Sequence, residues 1–161
     1  MRPRTRQAGF TIIEMMTALA LLGVLVAAAV PSFQSTMARA RLEGAVNLLA
    51  IDLQYTRSES VRRRTTATLT AAVGGDSYTI TYVDPSDSAS TLTLKTVAMP
   101  SDVSVSATGA VTFSSLRGLG NARTFTLTSS RTSEQLQVAT NAAGRVQTCS
   151  PSGSFRGYPT C

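Results

Sequence analysis

The 161-residue sequence has no histidine, no tryptophan, one lysine and only two cysteines. Without histidine, the commonest general base of hydrolases and the commonest metal ligand are both missing. Two thiols are too few for a zinc site built from cysteine alone. A Walker A loop, a GxGxxG fingerprint and a paired-carboxylate motif are also absent. These absences predict a protein that is not an enzyme and needs no cofactor or metal.

Basic residues outnumber acidic ones by 15 to 9, which gives a formal net charge of +6 at pH 7. Three arginines, Arg2, Arg4 and Arg6, lie in a leader of nine residues that holds no acid. Without that leader the balance falls to 12 basic against 9 acidic residues. Such weak positive charge permits an anionic partner without requiring one. The chain length suits one domain plus an anchor.

An apolar run follows from Phe10 to Val30, and Glu14 is its one charged residue. Twenty-one residues suffice to cross a bilayer core of ~30 Å. A secretory signal has a shorter apolar stretch and a small-residue cut site, which the alanines at 27–29 match weakly. The positive-inside rule keeps the arginine leader in the cytoplasm. Residues 31–161 are therefore expected across the membrane, in the periplasm.

Glu14 is the one residue of this apolar run that a membrane span does not account for. A carboxylate among lipid tails is costly, so an acid inside a membrane span is a functional-site hypothesis by default. An ordinary signal anchor accounts for the length and flanks of the run. It explains neither Glu14 nor the Gly9–Phe10 junction.

The sequence Gly-Phe-Thr-Ile-Ile-Glu at residues 9–14 resembles the leader junction of type IV prepilins and pseudopilins. The resemblance implies that a prepilin peptidase cuts between Gly9 and Phe10 and that the new amine of Phe10 is methylated. It also implies that Glu14 pairs with the N-terminal amine of a neighbouring subunit during filament growth. Opposite charges that are each costly in lipid offset one another when they meet.

Two helix-weakening residues, Gly23 and Pro31, flank the end of the same run. Proline removes a backbone donor and glycine lowers helix propensity, so a bend or local unwinding is expected over residues 24–30. By resemblance to pilins, that unwinding would let a subunit extend in the filament. A simple kink is the alternative.

The remaining sequence predicts an α+β fold, in which a long N-terminal helix packs on a mostly antiparallel sheet. Residues 1–9 are the leader, 10–30 the transmembrane helix, 31–64 an amphipathic helix and 65–161 a β-rich domain. The apolar face of the amphipathic helix is expected to consist of Leu42, Val46, Leu49 and Leu53. Ala45, Leu48 and Tyr55 are expected to widen that face. Period-two alternation predicts strands at 66–73, 77–83, 92–97, 103–105, 111–113, 125–127, 136–138 and 145–148, with 103–105 and 111–113 forming a pair around Gly109.

Two more segments, residues 48–64 and 141–146, resemble the GspH/FimT group of minor pilins and pseudopilins. The resemblance implies a minor pilin that contacts major and other minor pilins and primes assembly at the filament tip. It would lie in the inner membrane before it joins the filament. A type II secretion pseudopilin of the GspH kind is the runner-up.

Cys149 and Cys161, in a periplasmic domain, would meet an oxidising compartment, which favours a disulfide over two free thiols. In the chain-entropy model such a bridge contributes about 3 kcal/mol. Type IV pilins commonly carry a C-terminal disulfide loop, whereas type II secretion pseudopilins often lack one. The two cysteines therefore favour the pilus system.

DNA binding is the alternative function from a different class. Some FimT-type minor pilins bind DNA through a Gly-Arg-x-Arg motif, and here Gln147 stands where the second arginine would be. Glutamine cannot neutralise a phosphate, which weakens this reading. Arg145 and, beside aromatic residues, Arg156 are the candidate contacts. The alternative, which the missing second arginine favours, is that both are solvated residues of an edge strand and a loop.

Overall fold

The computed structural model describes residues 9–72, 74–107, 109–153 and 155–161; the leader arginines lie outside these ranges. Within them the chain forms one helix and eight strands. In chain order these are α1 (Ile12–Arg63), β1 (Ala67–Ala71), β2 (Ser77–Val83), β3 (Thr91–Ala98), β4 (Val103–Ala107), β5 (Val111–Phe113), β6 (Arg123–Ser129), β7 (Gln135–Thr140) and β8 (Val146–Cys149).

The helix α1 ends one residue before the predicted boundary, at Arg63. Arg64 adopts a positive φ of 55°, in the left-handed region. Its N–H donates to the Val61 carbonyl at 3.2 Å, and the Thr65 N–H donates to the Ser60 carbonyl at 3.1 Å. These two bonds form a Schellman motif, which satisfies carbonyls that the helix end would otherwise leave unpaired.

Residues up to Thr36 form one compact unit and residues from Met37 onward form another. In the first unit, α1 continues through both Gly23 and Pro31, and residues 24–30 are helical. The local unwinding expected there is therefore not present in the single chain. Unwinding of this segment stays a prediction for the assembled filament.

The second unit contains two four-stranded antiparallel sheets, in the orders β3-β2-β1-β5 and β4-β6-β7-β8. The predicted hairpin of β1 and β2 is present, with Ala71 opposite Tyr78. The prediction that β4 and β5 pair with each other was wrong, because β4 pairs with β6 and β5 pairs with β1. The segment between them, with Gly109 at a φ of 137°, carries the chain from one sheet to the other.

One hydrophobic cluster joins α1 to both sheets. The four residues of the predicted helix face are fully buried in it, and Ala45 is buried beside them. Leu48 and Tyr55 were wrongly assigned to this face, since they are 38% and 40% exposed. The sheets cover a narrower arc of α1 than the sequence suggested. Part of that arc is polar: Asp52, Thr56, Glu59 and Ser60 are buried.

Asp52 is the buried carboxylate that links α1 to the first sheet. The hydroxyl of Tyr78 donates to its Oδ2 at 2.5 Å. The ammonium of Lys95 lies 2.8 Å from both carboxylate oxygens. Burial, followed by the hydrogen bond to Asp52, raises the pKa of Tyr78 well above its ordinary value. Because a buried charge is tolerated only when it is paired, these three side chains fix the register of helix against sheet.

Candidate functional site

The first turn of α1 is built by a capping threonine. The Glu14 N–H donates to Thr11 Oγ1 at 3.3 Å, and the Met15 N–H donates to the Thr11 carbonyl at 3.2 Å. Thr11 and Glu14 match the threonine-x-x-glutamate signature of a helix start, a signal that the sequence held and that our prediction did not use. Gly9 and Phe10 precede this helix without regular structure.

The described side chains of this N-terminal unit are all exposed, and most of them are apolar. Phe10 is 78% exposed and Ile12 is 82% exposed. By length and composition α1 qualifies as a membrane-spanning helix, and none of its most apolar window is buried in the protein. Within the described residues, the Glu14 carboxylate takes part in no ion pair. An acid on an apolar helix without an intrachain partner is suited to a cation from another molecule.

A second candidate site is a groove of about 560 Å³ beside the C-terminal half of α1. Three arginines, Arg57, Arg117 and Arg145, line the groove, and no described carboxylate does. The guanidinium of Arg57 is held in place, because its Nε donates to the Gly118 carbonyl at 3.0 Å. The groove is lined by Gln54, Arg57, Ser58, Val61, Arg117, Gly144, Arg145 and Val146.

Two glycines let the loops of this groove close around Arg57. Gly118 and Gly144 have positive φ angles of 60° and 72°. A Cβ on Gly144 would lie 2.5 Å from the Gly118 carbonyl oxygen, and a Cβ on Gly118 would lie 2.9 Å from Arg57 Nε. A side chain at Gly144 would therefore clash with backbone, and one at Gly118 would have to displace Arg57 and adopt a left-handed backbone conformation.

The structure separates the two arginines that the sequence proposed as DNA contacts. Arg145 lies with Arg57 and Arg117, which come from positions far away in the chain. Arg156 is exposed in the C-terminal loop and does not line the groove. Our prediction missed Arg57 and Arg117 because no local pattern indicates that a helix and two loops meet there.

The predicted disulfide between Cys149 and Cys161 is confirmed, with a sequence separation of 12 and a Cα–Cα distance of 5.0 Å. Inside the loop, Phe155 and Tyr158 pack edge to face with ring centroids 5.5 Å apart. The Tyr158 hydroxyl donates to Glu43 Oε1 of α1 at 3.4 Å. Burial, followed by the charge of Glu43, raises the pKa of Tyr158. The loop is thereby ordered against the helix.

Among the described residues, no group of three or more histidine, cysteine or acidic side chains is placed to hold a metal ion.

Two family models match the chain. Residues 45–144 match the type II transport protein GspH, and residues 4–30 match the prokaryotic N-terminal methylation motif. The first match covers most of the globular unit and the second covers the apolar run. Together the motif and the apolar helix fit a membrane-anchored protein with a globular domain.

Three known proteins resemble the chain. It is 45% identical over 42 residues to the fimbrial protein EcpC of Eikenella corrodens, an alignment that covers 26% of this chain and 28% of EcpC. The crystal structure of the type IV minor pilin FimU of Pseudomonas aeruginosa aligns with a TM-score of 0.54 at 23% identity, covering 68% of this chain and 88% of FimU. The minor pseudopilin EpsH from the type 2 secretion system of Vibrio cholerae aligns with a TM-score of 0.59 at 9% identity, covering 69% and 98%.

Proposed function

Because the chain belongs to the GspH family and is a minor pilin or pseudopilin, we propose that it enters the filament of a type IV pilus and helps to prime assembly at the tip. The family and the fold are those of pilins, which are structural proteins that associate with other pilins. The disulfide loop supports a pilus subunit.

A pseudopilin of a type II secretion system is the other assignment. Deletion of the gene distinguishes the two assignments, because it would abolish pili in one case and secretion in the other.

The observation that carries this proposal is Glu14, which lies within the methylation motif of residues 4–30 on an exposed apolar helix and forms no ion pair with any described residue. We propose that prepilin peptidase cleaves between Gly9 and Phe10 and that the Phe10 amine is then methylated. The amine of one subunit pairs with Glu14 of the next, and each charge removes the cost of burying the other in lipid. Before assembly the globular domain lies in the periplasm and the apolar helix lies in the inner membrane.

The test is Glu14→Gln, which keeps the shape of the side chain and removes its charge. The variant should be processed and held in the membrane, yet its amount in sheared filaments should fall at least tenfold. Glu43→Gln is the matched control on the same helix, outside the apolar run, and should assemble normally. Normal incorporation of Glu14→Gln would contradict the charge-pairing proposal.

The cut site has its own test. Gly9→Val should block removal of the leader, so the membrane protein would keep the mass of the uncut chain. A mature mass identical to that of the wild type would exclude cleavage at this junction.

DNA binding is the second candidate function, and the arginine groove favours it. Three arginines line this groove, and no carboxylate is among its described lining residues, a composition suited to phosphate. Binding of the full-length protein in detergent to DNA should weaken steeply with salt. Arg145→Ala should lower the slope of log affinity against log salt by about 1, the effect of one lost phosphate contact. Arg156→Ala, outside the groove, should leave the slope unchanged. Undetectable binding at low salt would exclude this function.

A further inference from the structure

The loop between β2 and β3, residues 84–90, is opposite in charge to the arginine groove. This acidic loop contains Asp84 and Asp87 and no basic residue. Asp87 is exposed and Asp84 is partly exposed. Neither carboxylate takes part in an ion pair with a described residue. The acidic loop therefore presents two negative charges to its surroundings.

Hydrogen bonds within the acidic loop hold both carboxylates in place. The Asp84 N–H donates to the Ser90 carbonyl at 3.0 Å, which closes the loop. Asp84 Oδ1 accepts from the hydroxyl of Ser86 at 2.6 Å and from its N–H at 2.8 Å. Asp87 Oδ1 accepts from the Ala89 N–H at 3.1 Å. The hydrogen bond from the Ser86 hydroxyl, followed by that from its N–H, lowers the pKa of Asp84, so this carboxyl is ionised at neutral pH.

The arginine groove offers the complementary charge. None of its three arginines forms an ion pair with a described residue. Arg117 and Arg145 are exposed, and Arg57 is held by the Gly118 carbonyl. Guanidinium groups bind carboxylates through two parallel, charge-assisted hydrogen bonds. The groove is thus suited to a segment that carries more than one carboxylate.

The acidic loop and the groove lie at the same end of the first sheet but at opposite edges of it. Tyr82, next to the loop, pairs with Ala67 at the start of β1, and Ala67 pairs with Phe113 at the end of β5. Arg117 of the groove follows shortly after β5. In the order β3-β2-β1-β5, three strand spacings, about 14 Å, separate the two edges. The two charged surfaces therefore lie on different sides of the globular unit.

This placement favours a contact between copies of the chain. Two complementary surfaces at opposite edges do not meet within one molecule, but they meet when copies stand side by side in the same orientation. A contact between two different surfaces of identical chains is head to tail, and such contacts repeat to give rings or filaments. A filament subunit needs a contact of this kind.

The groove is less suited to DNA than to this loop. Gln147 stands where a second arginine would neutralise a phosphate. No aromatic residue is among the described residues that line the groove, so bases have no stacking partner there. Val61 and Val146 instead add apolar surface beside the arginines.

We propose that the acidic loop of one copy of this chain docks in the arginine groove of the next copy. The inference rests on the proposed function, because it places two copies side by side in the filament. Asp84 and Asp87 pair with the guanidinium groups of Arg57, Arg117 and Arg145, so that two negative charges meet three positive ones. Such complementary charge sets the partner and the orientation of a contact.

The first test measures association of the purified full-length chain in detergent by analytical ultracentrifugation. At low salt the wild type should form concentration-dependent species larger than a dimer, because head-to-tail contacts repeat. High salt should weaken the association at least tenfold, since exposed charges are screened. A wild type that stays monomeric, stops at a dimer or associates equally at high salt would overturn the inference.

Charge reversal locates the contact. Asp87→Arg in the loop and Arg145→Glu in the groove should each weaken association at least tenfold. Asp76→Arg and Arg156→Glu are the matched controls, because both residues are exposed and lie outside the two surfaces. They should associate as the wild type does. Equal loss in the controls would show an effect of net charge alone and would overturn the inference.

Mixing the two reversed variants gives a result that only a head-to-tail contact explains. The intact loop of Arg145→Glu meets the intact groove of Asp87→Arg, so the mixture should form dimers and no larger species. Absence of dimers in the mixture would overturn the inference. Asp87→Asn and Arg145→Gln, which keep the side-chain shape, replace any reversed variant that does not fold.

The outcomes also separate this inference from DNA binding and from the proposed function. DNA binding that Arg145→Glu abolishes, without association of the wild type, would assign the groove to DNA and overturn the inference. If the wild type enters filaments while its purified copies do not associate, only the docking inference fails. If the wild type is absent from filaments, the proposed function fails and the docking inference falls with it.

Discussion

The two halves of α1, residues 12–36 and 37–63, differ in composition and in surroundings. Before Met37, large apolar side chains such as Leu19 and Leu25 are exposed, and the Glu14 carboxylate has no ion-pair partner among the described residues. After it, a narrow apolar stripe is buried and acids such as Asp52 and Glu59 are paired within the chain. The two sheets of the same chain cover the apolar stripe of the second half. The first half has no such cover among the described residues.

The comparison is tested most strongly by replacing one leucine in each half with alanine. Leu49→Ala in the buried stripe should lower the free energy of unfolding of the globular unit by about 2–5 kcal/mol, because it leaves a cavity in a packed core. Leu22→Ala, at an exposed position, should not change it. Urea denaturation of the full chain in detergent measures both. Equal effects would mean that the two halves are not distinct.

Loss of the disulfide should have the next largest effect. Replacing Cys149 and Cys161 by serine should lower the free energy of unfolding by about 3 kcal/mol in the chain-entropy model. Urea denaturation of the full chain in detergent measures this loss. Thermal melting of the variant that matched the wild type would contradict this expectation.

The paired acid Glu59 should make the stability of the globular half depend on pH. The hydrogen bond from Arg62, with that from Arg63, lowers the pKa of Glu59 below its ordinary value of 4.5. A carboxyl whose pKa is lower in the folded state adds stability above pH 4.5, and this is lost as pH falls from 4.5 through the folded pKa. Glu59→Gln should therefore reduce the loss of stability on acidification, measured by denaturation between pH 6 and about 3. An unchanged pH profile would argue against this pairing.

The smallest effect should come from glycines in the two halves. Gly44→Ala should raise the free energy of unfolding by roughly 0.5–1 kcal/mol, since an added Cβ meets no atom within 4 Å and alanine favours the helix. Gly23→Ala, equally unobstructed, lies outside the globular unit and should leave its unfolding unchanged. Destabilisation by Gly44→Ala would show that this helix surface is covered.

The parts of the fold that follow from local periodicity could be predicted. Strand β2 has the predicted bounds, Ser77–Val83. The helix stripe through Leu42 and Leu53 is buried as predicted, and the apolar run is exposed at the surface of the protein. The division into two sheets could not be predicted, because strand partners such as β1 and β5 are far apart in sequence. The groove depends on the same kind of long-range contact, between Arg57 and the Gly118 loop. The buried Asp52 was missed because its partners, Tyr78 and Lys95, lie on other elements.

Lys95 has a practical consequence for chemical labelling, because it is the only lysine in the chain. Its ammonium forms an ion pair with the Asp52 carboxylate, so amine-directed dyes should react with it slowly. The other primary amine of the polypeptide is the α-amino group at the first residue. The site of tagging by such a dye, read by peptide mass, would therefore report directly whether that terminus is Met1, a free Phe10 or an already methylated nitrogen.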